Sequence, residues 1–299
     1  MTKIVECVPN FSEGQRMEVI EAIADQIEGV EGVRLLDYEH DKDHNRSVMT
    51  FVGTPDSVKK AAFTSCAKAA ELIDLTKHKG EHPRIGATDV IPFIPISEVT
   101  MDDCVKLARV LGKEIAEKLK IPVYLYEYAA AKPERRNLEN IRKGQFEGLK
   151  EIIEKDPERA PDFGQAKLHP TAGATVVGAR MPLVAYNVNL NTDDIDIAKS
   201  IAKAIRHSSG GLRYVKALGL SIKEKGIVQV SMNLTNYQKT PVFRVFEMVK
   251  KEAERYGVEI LGSEVIGLIP MNALVDSADF YLRLENFDRS QILESRLWE

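Results

Sequence analysis

The stretch VIPFIPISEVTMDDCVKLARVLGKEIAEKLKIPVYLY, residues 90–126, decides the fold class. Val90 to Ile96 form a nearly continuous apolar run, the composition of a strand buried on both faces. Met101 to Leu119 then carry apolar residues at helical spacing, and Val123 to Tyr126 return to strand composition. Strand, helix and strand in succession make a mixed α/β unit.

Working upstream, Lys3–Pro9 predicts a strand and Ser12-Glu13 a capped helix start. Val33–Asp37 and Ser47–Val52 predict strands, and Pro55–Leu75 a long helix. Downstream, residues 130–170 hold Pro133, Pro157, Pro161 and Pro170 among charge-rich helical turns, as a connecting arm would. Ala174–Ala179 and Leu183–Leu190 follow as strands, Asp194–His207 as a helix, and Tyr214–Leu220 and Ile227–Leu234 as a strand pair. Helix Val242–Tyr256, strand Glu259–Ile266 and helix Asn272–Leu282 complete the pattern. The expectation is an α/β (α+β) protein of two α/β subdomains, residues 1–178 and 179–299, each a β-sheet covered by helices, packed around a ligand groove.

Composition narrows the function. A chain of 299 residues, 44% hydrophobic and 29% charged, is too apolar and too balanced for disorder. Its 41 basic and 45 acidic residues net −4, so no basic field holds a nucleic-acid backbone. Cys7, Cys66 and Cys104 are odd in number and form no CxxC, which argues against a disulfide framework or thiolate zinc site and for a reducing cytoplasm. The opening residues lack a signal-peptide core, and no run approaches the ~18 apolar residues of a membrane span.

The richest chemistry lies in TKHKGEHPRIG, residues 76–86, with two histidines, Lys77, Lys79 and Arg84 around one carboxylate, Glu81. Gly80 and Pro83 make it a loop, either a solvated basic linker or a site on a rigid scaffold. Pro83 restricts His82 to extended backbone and helps aim its imidazole, whose ordinary pKa near ~6.5 suits general acid/base work. A metal at His78 and His82, completed by Glu81 or Asp89, would need a helix that Gly80 and Pro83 oppose, so no metal is expected. His40 and His44 fit a charged surface turn, and Arg46 is suited to a carboxylate. In NVNLN (187–191) and SMNLT (231–235), polar residues recur at every second position, giving each strand one polar face. That face is either solvent-facing or a platform of uncharged donors and acceptors for a heteroaromatic ring. There is no GxGxxG, Walker or GxSxG pattern.

Several motifs together resemble the formiminotransferase family: VECVPNFSEG (5–14), Asn45-Arg46, LTKHKGEHPRIGATD (75–89), FIPI (93–96), VYLY (123–126), APDFG (160–164) and GATVVGAR (173–180). They run in order from residue 5 to residue 180. The resemblance implies two α/β subdomains with folate between them, a homodimer, and transfer of a formimino group from N-formimino-L-glutamate to N5 of tetrahydrofolate in histidine breakdown. It places the family's catalytic histidine on His82. Substrate-binding positions are expected at Asn10, Arg46, Lys77, Lys79, Arg84, Asp162, Phe163, Gly164, Gly173, Asn187, Asn189 and Asn233. Asp37, Glu39 and Asp41 are candidates for an acidic partner of His82. The matched motifs include no cyclodeaminase region, so a separate protein is expected to cyclise the product. Alternatives are formyl transfer from N-formylglutamate or 5-formyltetrahydrofolate, and a non-catalytic folate-binding protein.

Overall fold

A computed structural model of the chain describes residues 2–297. The chain divides into two compact units, Met1–Arg180 and Met181–Glu299. The first runs β1 (Ile4–Cys7), β2 (Asn10–Phe11), α1 (Met17–Glu28), β3 (Val33–Asp41), β4 (Arg46–Gly53), α2 (Pro55–Leu72), β5 (Thr88–Ser97), α3 (Met101–Lys118), β6 (Val123–Glu127), α4 (Leu138–Arg142), α5 (Gln145–Ile152) and β7 (Thr175–Ala179). Its seven strands form one sheet. β1 and β2 both pair antiparallel with β4 on one side and β5 on the other, β3 lies outside β4, and β7 lies parallel between β5 and β6.

Local chemistry explains these elements. Thr100 and Asp103 cap α3 reciprocally, and Thr54 caps α2 ahead of Pro55 at its first turn. α1, α2 and α3 pack side by side over the sheet and bury Val5, Met49, Phe51, Ile91 and Phe93. β4 alternates: Ser47, Met49 and Phe51 are buried, while Arg46, Val48, Thr50 and Val52 are half-buried on the other face. Asn10, opposite Val48, shares that second face with Arg46.

Two sequence expectations are corrected here. Ser12 does not cap α1, which begins at Met17; the Ser12 hydroxyl donates to the Gly86 carbonyl at 2.7 Å, and Glu13 Oε1 accepts the N–H groups of Gln15 and Arg16 at 2.9 Å each. Residues 130–170 are not a connecting arm, because Ile141, Phe146, Leu149, Ile153 and Leu168 are buried in the first unit's core. Their short helices carry enough apolar positions on one side to dock despite the surrounding charge.

The second unit contains β8 (Val184–Leu190), α6 (Ile195–Ile205), β9 (Val215–Ile222), β10 (Ile227–Leu234), α7 (Val242–Arg255), β11 (Ile260–Ile266), α8 (Met271–Leu282) and α9 (Leu293–Leu297). Its four-stranded sheet is ordered β11-β8-β10-β9 and is antiparallel throughout. Val184, Tyr186, Val188 and Leu190 of β8, with Val228, Val230, Met232 and Leu234 of β10, form its core with α6 and α7. Asn187, Asn189, Gln229, Ser231 and Asn233 occupy the alternate positions and hence the other face. The expected class, two sheets each covered by helices, is what the chain adopts. Among the described residues no helix is long and apolar enough to cross a membrane.

Candidate active site

The basic stretch 76–86 is an irregular loop ahead of β5, pressed against the turn that joins β3 to β4. Asn45, in that turn, has φ 47°, a left-handed conformation that asparagine tolerates better than most residues. Its Nδ2 donates to the Lys79 carbonyl at 2.8 Å and its Oδ1 accepts the Gly14 N–H at 2.9 Å. The backbone N–H groups of Glu81 and His82 donate to the carbonyls of Asp43 and His44 at 3.2 and 3.4 Å. Gly80 permits the approach: a Cβ there would meet the His44 carbonyl oxygen at 2.4 Å.

This contact carries His82 to the second face of the first sheet. Arg46 Nη1 lies 3.4 Å from His82 Nε2 and 3.3 Å from Asn10 Oδ1. A guanidinium can only donate, so Nε2 is the acceptor and the His82 proton sits on Nδ1. Burial, reinforced by the guanidinium charges of Arg142 and Arg46, pushes the His82 pKa down to about 2. The imidazole is neutral at physiological pH. Burial and Arg142 also pull Arg46 below its ordinary value, with Asp41, Asp89 and Glu39 acting the other way. Arg46 Nε is buried without a hydrogen-bond partner among the described residues. The centre is therefore poised to receive an anion.

Arg142 and Asp89 complete it, and the sequence does not mark Arg142. Its Nε donates to Asp89 Oδ2 at 2.9 Å and its Nη2 to the same oxygen, while Asp89 Oδ1 accepts the Ile85 N–H at 2.7 Å. Arg142 is 60 residues from His82 in sequence, and no local spacing links the two. Of the candidates for an acidic partner, none is hydrogen-bonded to His82 among the described residues; its side-chain neighbour is Arg46. Asp41 instead accepts the N–H groups of Asp43 and His44 and pairs with the His44 imidazole at 3.1 Å, while Asp37 and Glu39 face Thr50 and Val48 across the β3–β4 ladder.

The other expected positions separate. Lys77 is exposed beside Asp74 at 3.4 Å, and Lys79 is exposed. Arg84 is buried and committed to the protein: it donates to His78 Nδ1 at 3.1 Å and Gln145 Oε1 at 3.0 Å, and to both Glu147 oxygens at 2.9 and 2.7 Å. His78 Nε2 donates to the Asn45 carbonyl at 2.9 Å, so both its ring nitrogens are used within the protein. Asp162 pairs with Arg135 at 2.8 Å and accepts the Leu125 N–H at 2.7 Å, and the N–H of Phe163 donates to the Val123 carbonyl at 3.1 Å. Gly164 and Gly173 have φ of 89° and 70°, which suits glycine in tight turns.

In the second unit the expected polar face is present, but it is not uncharged. Asn187 stands opposite Glu264 of β11 and Asn189 opposite Gln229 of β10. Glu264 Oε1 accepts from Asn187 Nδ2 at 3.2 Å and from Gln229 Nε2 at 2.8 Å, and Gln229 Nε2 also donates to Asn189 Oδ1 at 2.9 Å. Asn233 is exposed, opposite Ala185 and Lys216, and lies outside this network. Gln229 and Glu264 were not singled out from sequence; the period-two pattern marks Gln229, two positions before Ser231, whereas Glu264 sits in a strand without such alternation.

Comparison with known proteins agrees with this architecture. Residues 4–180 match the formiminotransferase domain, N-terminal subdomain, and residues 185–296 match the formiminotransferase domain. The chain is 54% identical to the glutamate formimidoyltransferase of Streptococcus pyogenes serotype M1, covering 99% of both chains. It is 51% identical to that of Thermoplasma acidophilum, over 98% of this chain and 97% of the relative. It is also 45% identical to the formimidoyltransferase-cyclodeaminase of Gallus gallus, over 95% of this chain and 53% of that longer protein. With both subdomain models matched in order along a chain whose loop and hairpin converge on His82, the protein belongs to the formiminotransferase family.

Proposed function

We propose that this protein is a glutamate formimidoyltransferase, moving the formimino group of N-formimino-L-glutamate to N5 of its co-substrate tetrahydrofolate and releasing L-glutamate. The observation that carries the assignment is a neutral His82 whose lone pair faces Arg46, a guanidinium with an unmatched buried Nε–H. Both substrates are carboxylates, and Arg46 can turn its planar donors onto one of them. That movement frees His82 Nε2 and offsets the positive field that suppresses its basicity. Asn10 steadies the guanidinium, and Lys77 and Lys79 draw the anions toward the loop.

Transfer is direct. N5 attacks the formimino carbon to give a tetrahedral adduct, and the proton lost from N5 passes to His82 Nε2. Collapse breaks the bond from that carbon to the glutamate nitrogen, which takes the proton back from His82. Acid/base help of this kind is worth about 10²- to 10⁴-fold, and holding both substrates together supplies the rest. In this reading Arg84, Asp162, Phe163, Gly164 and Gly173 shape the surrounding backbone. We place the enzyme in histidine breakdown, as a homodimer in a reducing cytoplasm. The three buried, unpaired cysteines support that compartment.

The test is an assay of the purified chain with tetrahydrofolate and N-formimino-L-glutamate, following glutamate release and folate absorbance, with N-formyl-L-glutamate as the competing donor. His82→Ala is expected to lower turnover by about 10²-fold or more while folate affinity changes by less than about threefold. Preference for the formyl donor would reassign the substrate, and near-normal turnover of His82→Ala would remove His82 from the chemistry.

A further inference from the structure

We propose that His78 is a positioning residue: held in one tautomer by Arg84, it fixes the peptide plane between Asn45 and Arg46 and so aims the Arg46 guanidinium at His82. The proposal rests on the transfer chemistry argued above, in which Arg46 grips a substrate carboxylate.

The tautomer follows from the partners. Arg84 Nε lies 3.1 Å from His78 Nδ1, and a guanidinium only donates, so Nδ1 carries the lone pair. The ring proton is therefore on Nε2, which donates to the Asn45 carbonyl at 2.9 Å. His82 is held the opposite way, with its lone pair on Nε2 facing Arg46. Two histidines of one loop are thus set in opposite tautomers by two different arginines.

The carbonyl that His78 grips belongs to the peptide bond leading into Arg46. That unit is planar, so the direction of the Asn45 carbonyl also sets the direction of the Arg46 N–H and the start of β4. Asn45 is left-handed at φ 47°, a conformation that persists only where its surroundings hold it. Its side chain is held by the Lys79 carbonyl and the Gly14 N–H at 2.8 and 2.9 Å, and its carbonyl by His78. Arg84 anchors the arrangement from behind. Its guanidinium takes both Glu147 oxygens and Gln145 Oε1, and its own carbonyl accepts the Phe146 N–H at 2.9 Å. Arg142 precedes Gln145 on the segment clamped in this way. The relay Glu147–Arg84–His78–Asn45 therefore ties together the three segments that carry Arg142, His82 and Arg46.

The experiment compares His78→Leu, which removes both ring contacts, with His78→Gln, whose amide can accept from Arg84 and donate to the Asn45 carbonyl. His78→Leu is expected to raise KM for the formimino donor or tetrahydrofolate by about fivefold or more, and His78→Gln to stay within about twofold of wild type. A role in stability alone would lower Tm and leave KM unchanged, which overturns the proposal. Because His78 acts through Arg46, adding His78→Leu to Arg46→Ala should raise KM by less than about twofold further. Effects that multiply in the double variant, or a His78→Gln enzyme as impaired as His78→Leu, also overturn it. Nitrogen NMR of wild type carrying isotope-labelled histidine is independent of how well His78→Leu folds. It should show Nε2 protonated in His78 and Nδ1 protonated in His82, assigned from the resonances lost in His78→Gln and His82→Ala. A proton on His78 Nδ1 overturns the proposal. The spectra need no substrate, so the two readings fail separately. A wild type with the expected tautomers but no formimino transfer refutes the transferase assignment, whereas an active wild type with multiplying substitutions refutes only the role of His78.

Discussion

Arg46 Nη1 stands 3.4 Å from His82 Nε2 and donates to it, so the neutral imidazole is held by a cation rather than by a carboxylate. This arrangement is unfavourable to an imidazolium, and Arg46 Nε itself has no hydrogen-bond partner among the described residues. The pair makes sense around an incoming anion, and its consequences can be measured.

Arg46→Ala should raise the Michaelis constant for the glutamate donor or the folate by about tenfold or more, because a desolvated carboxylate loses a bidentate partner. The same substitution removes one of the charges that depress His82, so its pKa should move upward, read from the imidazole resonance by NMR. If neither constant nor resonance changed, Arg46 would be structural only.

His82 should also shape stability against pH. Its folded pKa lies below the unfolded value near ~6.5, so the unfolded chain binds the extra proton and acid favours unfolding. The stability lent by the neutral imidazole is fully present above that unfolded value and is lost as pH falls below it, down toward about 2. Between pH ~6 and ~4, wild type should lose about 1.4 kcal/mol per pH unit relative to His82→Asn, in paired denaturant titrations. Parallel curves for the two proteins would contradict the buried neutral state.

Gly80→Ala should act through the loop. Its methyl group would meet the His44 carbonyl oxygen at 2.4 Å and the Asn45 Cβ at 2.7 Å, and the first contact is with backbone. Moving the loop off the hairpin is expected to cost about 1 to 3 kcal/mol and to lower turnover more than Tm loss alone explains. Kinetics at a temperature well below both melting points separates the two effects.

Arg84 and Glu147 should respond unequally although they share an ion pair. Arg84 is 6% exposed and serves His78, Gln145 and Glu147, so Arg84→Ala is expected to cost about 2 kcal/mol or more. The Glu147 side chain is 63% exposed, and its removal should cost about 1 kcal/mol or less. Thermal unfolding of both variants checks the order. A large rise in the Michaelis constant of Arg84→Ala with unchanged Tm would return Arg84 to the substrate.

What the sequence by itself determined is local. The apolar run at 90–96 became β5, the helical spacing from Met101 became α3, and Gly80 with Pro83 kept residues 76–86 out of a helix. The alternation at 187–191 correctly separated a core face from a polar face, since side-chain direction along a strand has a fixed period of two. What only the tertiary structure decided is which charges meet. Arg84, expected at the substrate from its basic loop, and Asp162, expected there from the family resemblance, pair within the protein with Glu147 and Arg135. Arg142 reaches Asp89 from 53 residues away, and Glu264 reaches Asn187 from 77. Sequence periodicity reports which side of an element faces the core. The partner of a buried charge depends instead on sheet order and register, because desolvation makes each charge seek compensation from whatever element the fold brings within a few ångströms.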